Sequence, residues 1–224
     1  MKNLFLTGAL CAFAMGFSQA DETATKSAAP ASMAVPAGAY TLDKAHASLL
    51  LRVEHLGFSN FTARFTRFEV QLQFDPANPA AAQVNASIDP RSLDIDNAPA
   101  GFLDALRGTQ WLDTEKFPQL TFRSTHVEAT GLKTLRVTGD LTLHGLTHPV
   151  TLDVAYNGGY AGHPMDPHAR IGFSAHGSFK RSDFGIAYGI PPAGTSMGVS
   201  DAVEVIIESE FNGPAWTGAP AAQH

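Results

Sequence analysis

The stretch "HLGFSNFTARFTRFEVQLQF", residues 55–74, carries two conflicting periodicities. Phenylalanines at 58, 61, 65 and 68 have the 3-4-3 spacing of an apolar helix stripe, whereas from Phe68 to Phe74 every second residue is apolar, as in a strand. The first possibility is a helix that precedes a strand; the second, which we favour, is a single strand that changes phase. In the second case one extra residue near Thr66–Arg67, a β-bulge, brings a set of seven apolar residues to one face. The set is Phe61, Ala63, Phe65, Phe68, Val70, Leu72 and Phe74.

Alternation with period two dominates the rest of the chain between its two ends and indicates β-structure. In "TLRVTGDLTLH", residues 134–144, the odd-numbered positions from Leu135 to Leu143 share one apolar face that includes Gly139. Short turn signals such as "GLTHP" at 145–149 separate neighbouring segments. We predict eight strands, around 49–53, 61–74, 84–88, 120–127, 135–143, 150–154, 171–175 and 203–207.

One segment, "NAPAGFLDALRGTQWLD" at 97–113, has helical spacing instead. Phe102, Leu103 and Leu106 fall on one side of a helix that Gly108 would end, so we predict a helix at roughly 100–107. Eight antiparallel strands favour a closed barrel, because closure removes exposed sheet edges. The predicted fold is therefore mainly β, an eight-stranded antiparallel barrel with one short α-helix. The interior of such a barrel is either filled by side chains or holds one small ligand.

The two ends of the chain differ from the predicted barrel domain at 39–212. Residues 1–20 combine Lys2, an apolar stretch and the ending Ser18-Gln19-Ala20, which predicts a secretory signal peptide, cleavage after Ala20 and a periplasmic protein. A membrane anchor is the alternative, but the apolar run is shorter than the roughly 20 residues that a spanning helix needs. Residues 21–38 read as a flexible Ala/Pro/Ser/Thr spacer, and 213–224 as a flexible C-terminal tail.

Composition excludes several classes of function. Cys11, the only cysteine, lies in the leader, so a mature chain would have no disulfide, catalytic thiol, iron–sulfur cluster or covalently attached c-type haem. The net charge is −6 and no basic run is present, so nucleic acid is not an expected partner. With 44% hydrophobic and 16% charged residues, the chain can bury a sizeable core.

The nine histidines show no convergent metal set. His144 and His148 straddle a predicted hairpin turn, where we expect backbone-bonded turn histidines. His163 and His168 flank Asp166 and could clip a surface metal, but no third ligand is evident nearby. We therefore predict no metal and no other cofactor.

The sequence contains no clear catalytic motif. A G-x-S-x-G elbow and a phosphate-binding glycine loop are both absent. His46 lies near Asp43 and His55 near Glu54, which leaves open an acid–base pair. Structural histidines at strand ends are the other interpretation.

Four stretches, taken in order, resemble the YceI-like family of exported, lipocalin-like polyisoprenoid-binding proteins. They are "YTLDKAHASLLLRVEHLGFS" at 40–59, "GFLDALRGTQWLDTEKFPQLTFRST" at 101–125, "VTGDLTLHGLTHPVTLDV" at 137–154 and "FKRSDFGIAYG" at 179–189. The resemblance runs from about Tyr40 to Phe211. It implies an eight-stranded lipocalin-like barrel whose elongated apolar pore takes an isoprenoid chain, such as that of a respiratory quinone, or a comparable long-chain amphiphile.

The helix departs from the family pattern. Where many members have an Arg-Asp-x-His run, this chain has Phe102-Leu103-Asp104-Ala105, so the helix would present more apolar surface. In this respect the chain resembles a subgroup found with membrane-bound b-type cytochromes.

These observations lead to a prediction of binding without chemistry, with an isoprenoid lipid as the ligand. Two alternatives remain: an enzyme that uses the same cavity with His46 or His55 as base, and a module that docks a membrane b-type cytochrome. A homodimer is also left open. Eleven inward-facing residues are the candidate ligand contacts: Leu49, Leu51, Val53, Phe65, Phe68, Val70, Leu141, Leu143, Phe173, Val203 and Val205.

Overall fold

Antiparallel strands make up most of the computed structural model, which describes residues 35–218. The strands are β1 (Gly38–His55), β2 (Ser59–Phe65), β3 (Phe68–Phe74), β4 (Gln83–Ile88), β5 (Leu93–Asp94), β6 (Leu120–Ala129), β7 (Thr134–Leu143), β8 (Leu146–Tyr160), β9 (His168–Lys180) and β10 (Ala202–Ala215). One helix, α1 (Phe102–Arg107), lies where the helix was predicted, and 3-10 turns occur at Pro79–Ala81, Pro90–Ser92 and Arg181–Phe184. Within the described residues no helix has the length and apolar character needed to cross a membrane.

The sheet closes on itself because β10 pairs with both β9 and β1. Around the barrel the order is β10, β9, β8, β7, β6, β4, β3, β1. Strands β2 and β3 lie along the same edge of β1, with β3 paired to its beginning and β2 to its end, so together they form one wall strand. The predicted eight-stranded antiparallel barrel is therefore confirmed.

The phase change in residues 55–74 is a break in this wall strand. No helix forms there, so the helical interpretation of the 3-4-3 spacing is wrong. Two residues, Thr66 and Arg67, leave the ladder, whereas the predicted bulge had one extra residue. The inward-facing residues are odd-numbered before this break and even-numbered after it. All seven apolar residues of the predicted set, from Phe61 to Phe74, consequently line the barrel interior.

A neighbouring turn satisfies the backbone groups that leave the ladder. The Thr66 N–H donates to the carbonyl of Ser92 at 3.2 Å, and the Arg67 N–H donates to the Ser92 hydroxyl oxygen at 3.0 Å. The Asp89 N–H donates in turn to the Arg67 carbonyl at 3.0 Å. Since buried backbone groups must be hydrogen-bonded, Ser92 acts as a clamp that makes the break tolerable.

Strand β1 is irregular where it passes the break at Thr66–Arg67. Leu42 pairs with Phe211 and Ala47 with Ser209, so residues 43–46 bulge out of the ladder. On the outside of this bulge Arg170 donates to Asp43 at 2.7 Å and to Glu210 at 3.3 Å. The Arg170 hydrogen bond, followed by that of His46, lowers the pKa of Asp43 to about 2. The ion pairs therefore hold the bulge from the outer surface.

An aromatic cluster fills the barrel at the end where β1 begins. Tyr40, 1% exposed, meets Phe74 edge-to-face at 6.5 Å between ring centroids, and Phe74 meets Phe173 at 5.9 Å. The Tyr40 hydroxyl donates to the Pro36 carbonyl at 2.6 Å. Burial raises the pKa of Tyr40 to about 12.

The structured region extends slightly beyond the predicted domain limits of 39 and 212. Val35, within the predicted spacer, is buried in the Tyr40 cluster, and β10 continues to Ala215. The Trp216 N–H donates to the Pro167 carbonyl at 2.8 Å. The predicted leader at 1–20 lies outside the described residues.

We expect Ser92→Ala to lower the free energy of unfolding by about 1–3 kcal/mol, because the Arg67 N–H would lose its acceptor. Urea denaturation measures the change. The matched control is Ser178→Ala, at an exposed position of β9, which should leave the unfolding midpoint nearly unchanged. Equal midpoints for the two variants would contradict a clamp at Ser92.

Stability should also fall above pH 10. The unfolded Tyr40 phenol ionises near pH 10 but the folded one only near 12, so the unfolded state loses its proton first. Full stability is present below pH 10, and roughly 2–3 kcal/mol is lost as the pH rises to 12. Tyr40→Phe should flatten this part of the stability curve, whereas the exposed Tyr188→Phe should not. A curve of unchanged slope in Tyr40→Phe would argue against the shifted pKa.

Candidate functional site

The barrel encloses a cavity of about 460 Å³, within the range of roughly 300–1,000 Å³ that is typical of small-molecule sites. Inward-facing side chains of the eight wall strands line it, together with α1 and two loops. Among the lining residues of the described chain, only His55, Trp111, Arg181 and Ser209 carry polar side-chain atoms. The cavity is therefore suited to an apolar ligand.

All eleven predicted ligand contacts lie in the cavity wall. They are Leu49, Leu51, Val53, Phe65, Phe68, Val70, Leu141, Leu143, Phe173, Val203 and Val205. Several of them, among them Leu51, Val70 and Leu141, are only half-buried although they point inward, because they face the cavity rather than other protein atoms. Contact between these residues and a ligand stays a prediction.

The shape of the cavity also depends on two inward-facing glycines. A Cβ atom at Gly139 would lie 2.4 Å from the Phe122 ring, and one at Gly177 would lie 2.6 Å from the Leu152 side chain. The side chains of Phe122 and Leu152 therefore occupy the space that a side chain at either glycine would need.

Sequence periodicity missed the residues that close the other end. The cavity wall here comes from non-alternating segments and includes Ile95, Phe102, Leu106, Trp111, Leu112, Ile186 and Val199. Phe102 lies 6.1 Å from Phe61, ring to ring, so α1 covers this end. The helical spacing of Phe102 and Leu106 was the available signal, whereas the loop residues have no period from which to infer their direction.

The exposed end of the cavity lies beside His55, the most exposed of the lining residues. Next to it, the turn between β1 and β2 contacts residues 185–200, which we call the mouth loop. The Leu56 N–H donates to the Gly198 carbonyl at 2.8 Å, and the Ser200 N–H donates to the Glu54 carbonyl at 2.9 Å. The turn and the mouth loop thus form one continuous rim.

A buried arginine fixes the mouth loop. Arg181, 3% exposed, donates to four carbonyls of the loop at 2.8–3.0 Å: those of Ile186, Tyr188, Val199 and Ser200. Its guanidinium lies 5.0 Å from the centre of the Trp111 ring. Within residues 35–218 no carboxylate forms an ion pair with it, and burial lowers the pKa of Arg181. A positive charge solvated by carbonyl groups therefore lies in the cavity wall near the mouth.

The two candidate bases have different positions. His46 Nδ1 lies 3.0 Å from Asp43 Oδ2, but the pair is on the outer surface at the β1 bulge, so the hypothesis of His46 as a base in the cavity is wrong. His55 lines the cavity, while its neighbour Glu54 points outward with the alternation of β1. Among the described residues of the lining, His55 is the only histidine and no carboxylate is present.

Of the two predicted turn histidines, His144 bonds to the backbone, whereas His148 packs edge-to-face against Phe184 at 5.2 Å between ring centroids. His144 Nδ1 lies 3.1 Å from the Phe184 carbonyl oxygen, which confirms the interpretation as a backbone-bonded turn histidine. Asp43, His46 and Glu210 bring ligand atoms within 4.8 Å of one another, but Arg170 is already bonded to both carboxylates.

A closed antiparallel barrel around an apolar cavity defines the lipocalin-like class of architecture. Residues 40–211 match the YceI-like domain, so the chain belongs to the YceI-like family. Protein YceI of Escherichia coli is 39% identical over 175 residues, which cover 76% of this chain and 85% of that protein.

Two solved structures extend the comparison. Burkholderia cenocepacia BcnA superposes with a TM-score of 0.64 at 25% identity, covering 75% of this chain and 98% of its own. A polyisoprenoid-binding domain from Saccharophagus degradans has a TM-score of 0.54 at 16% identity, with 78% and 98% covered. At that identity the second likeness shows the shared fold alone.

Arg181→Gln should loosen the mouth loop, because several carbonyls would lose their donors, each at a cost of about 1–3 kcal/mol where water cannot replace them. Hydrogen exchange followed by mass spectrometry should show faster exchange in peptides from 185–200 and unchanged exchange in β6 and β7. The exposed Arg136→Gln serves as control. Unchanged exchange of the loop in Arg181→Gln would refute the role assigned to this side chain.

Proposed function

We propose that this chain is a periplasmic binding protein that holds an isoprenoid lipid, a polyprenol or an isoprenoid quinone, or a similar long-chain amphiphile, and performs no chemistry on it. The observation that carries the proposal is the cavity, which is apolar along the barrel and has His55, Trp111 and Arg181 at the mouth end. Such a lining accepts a chain and places most of its polar groups where a head group would lie; the remaining one, the Ser209 hydroxyl, donates to the Phe173 carbonyl.

The length of the cavity favours a chain over a compact ligand. Along β7 the lining runs from Leu135 to Leu143, roughly 27 Å of strand at ~3.4 Å per residue. Each methylene group transferred from water contributes about 0.8 kcal/mol, so a chain of several isoprene units supplies ample driving force. The aromatic cluster around Tyr40 ends the cavity and would limit how far a chain can enter.

The head group would lie near His55 and Arg181. The guanidinium of Arg181 has five N–H donors, of which the four hydrogen bonds to the loop carbonyls occupy four. An electronegative group such as a quinone carbonyl or a hydroxyl fits this end better than an ammonium group, which the positive charge would repel.

Binding is favoured over catalysis by the composition of the wall. No Asp or Glu is among the lining residues of the described chain, so His55 has no carboxylate partner in the cavity. The helix offers little support for docking a cytochrome through its apolar surface, because Phe102 of that surface turns into the cavity.

Two further lines support the proposal. The structurally similar domain of Saccharophagus degradans is a polyisoprenoid-binding domain. The leader-like residues 1–20 support export, which the intact mass of the protein from its own cells would test, with Asp21 as the expected first residue.

The cavity can be blocked from one wall. Ala86 lines it on β4, and its neighbour Asn85 is exposed on the outside of the same strand. We expect Ala86→Trp to abolish uptake of ubiquinone-8 and undecaprenol in native mass spectrometry, while Asn85→Trp retains it. Circular dichroism should show the same β-structure in both variants.

A second measurement tests the ligand class directly. Protein purified from its own periplasm should carry a lipid whose mass identifies it. A barrel that is reproducibly empty, and that takes up neither probe, would refute the proposed function.

A further inference from the structure

We propose that the mouth rim is a membrane-docking surface, with which the protein inserts Phe58, Tyr188 and Met197 into the surface of a lipid bilayer. The ligand to be transferred rests on the proposed function, but docking is a separate property with its own test. The proposal follows from the exposed side chains of the rim, its charge and its position beside the cavity.

The rim exposes large apolar side chains at its tips. Phe58 in the β1–β2 turn is 81% exposed, and in the mouth loop Met197 is 69% and Tyr188 53% exposed. Aromatic side chains with apolar neighbours are characteristic of surfaces that lie in the interfacial region of a bilayer.

These side chains stand on a fixed scaffold. The Leu56 N–H bonds to the Gly198 carbonyl, which places the turn that carries Phe58 against the loop that carries Met197. A Cβ at Gly57 would lie 2.9 Å from the Ser196 hydroxyl oxygen, so the two segments are in close contact. Arg181 holds the Tyr188 carbonyl, and the Tyr188 ring packs 5.7 Å from that of Trp111.

Three segments around the mouth carry no formal charge, although Asp104 and Arg107 follow in α1 and the buried Arg181 lies in the cavity wall. Residues 55–63, 97–103 and 184–200 contain no Asp, Glu, Lys or Arg, although these residues make up 16% of the chain. At the opposite end of the barrel, by contrast, exposed Leu132 is followed by Lys133 and exposed Met165 by Asp166. Within residues 35–218, the mouth end therefore differs from the opposite end in carrying its exposed apolar tips on uncharged segments.

This pattern favours a bilayer over a charged partner. A rim without Lys or Arg has no attraction for anionic head groups, so insertion of apolar side chains would supply the binding energy. The cavity opens beside His55 within the same rim, so an apolar chain could pass from the bilayer into the barrel without crossing water.

The test uses the full mature chain and the double variant Phe58→Ser/Met197→Ser. Neither residue lines the cavity, so equilibrium binding of ubiquinone-8 delivered from detergent should equal that of the wild type. Flotation with phosphatidylcholine vesicles, and the rate of ubiquinone-8 uptake from such vesicles, should both fall by roughly tenfold, because two apolar side chains no longer leave water.

The matched control is Leu132→Ser/Met165→Ser, which removes two exposed apolar residues from the opposite end. It should float and take up ubiquinone-8 like the wild type. Adding phosphatidylglycerol to the vesicles should change flotation of the wild type little, since the rim has no basic residue.

Several results would overturn docking on lipid. These are a wild type that does not float, a rim variant that takes up ubiquinone-8 at the wild-type rate, and binding that requires phosphatidylglycerol and disappears in salt. Binding to native membranes but not to protein-free vesicles would assign the rim to a membrane protein instead. Loading from detergent without flotation would refute docking alone, whereas flotation without loading from any source would refute the proposed function alone.

Discussion

Backbone hydrogen bonding at Thr66–Arg67 determines which side chains the barrel can place inside. A strand alternates strictly, so the wall from Phe61 to Phe74 can turn both of its apolar halves inward only if it loses its phase once. The break exposes two N–H groups and a carbonyl group that need partners, and Ser92 and Asp89 provide them. The apolar inner face of this wall therefore depends on a polar clamp outside the cavity.

The two ends of the barrel are closed by different physical means. At one end the Tyr40 cluster packs aromatic edges against faces, which is favourable without any charged group. At the other end the loop would have unpaired carbonyl groups, and one buried guanidinium satisfies four of them. Burying that cation is tolerable because its hydrogen bonds replace water. The result is a cavity with one end filled by aromatic side chains and one end that has polar groups in its wall.

Periodicity predicted the strands well, because each strand has a single buried face. Whether a residue number is odd or even then determines whether its side chain points into the barrel or out of it. Leu49, Leu141 and Val205 could be placed inward on this basis alone. Parity could not decide the direction of Ile186 or Val199, which lie in a loop whose course depends on Arg181. Parity does separate His55, which shares the odd numbering of the inward-facing Leu49 and Leu51, from even-numbered His46. It could not foresee that even-numbered Leu42 also faces inward, because the bulge at 43–46 changes the phase of β1.

An apolar cavity also restricts what its mouth can be. A chain that gains about 0.8 kcal/mol per methylene on entering the barrel would lose the same amount if it first had to enter water from a membrane. Tight binding by burial alone would thus be accompanied by slow uptake through solution. A mouth bordered by charged residues would retain that barrier, whereas an uncharged rim with Phe58 and Met197 at its tips can lower it by touching the bilayer. Within the described residues, the uncharged rim and the predominantly apolar cavity wall would in this sense both suit a single apolar ligand.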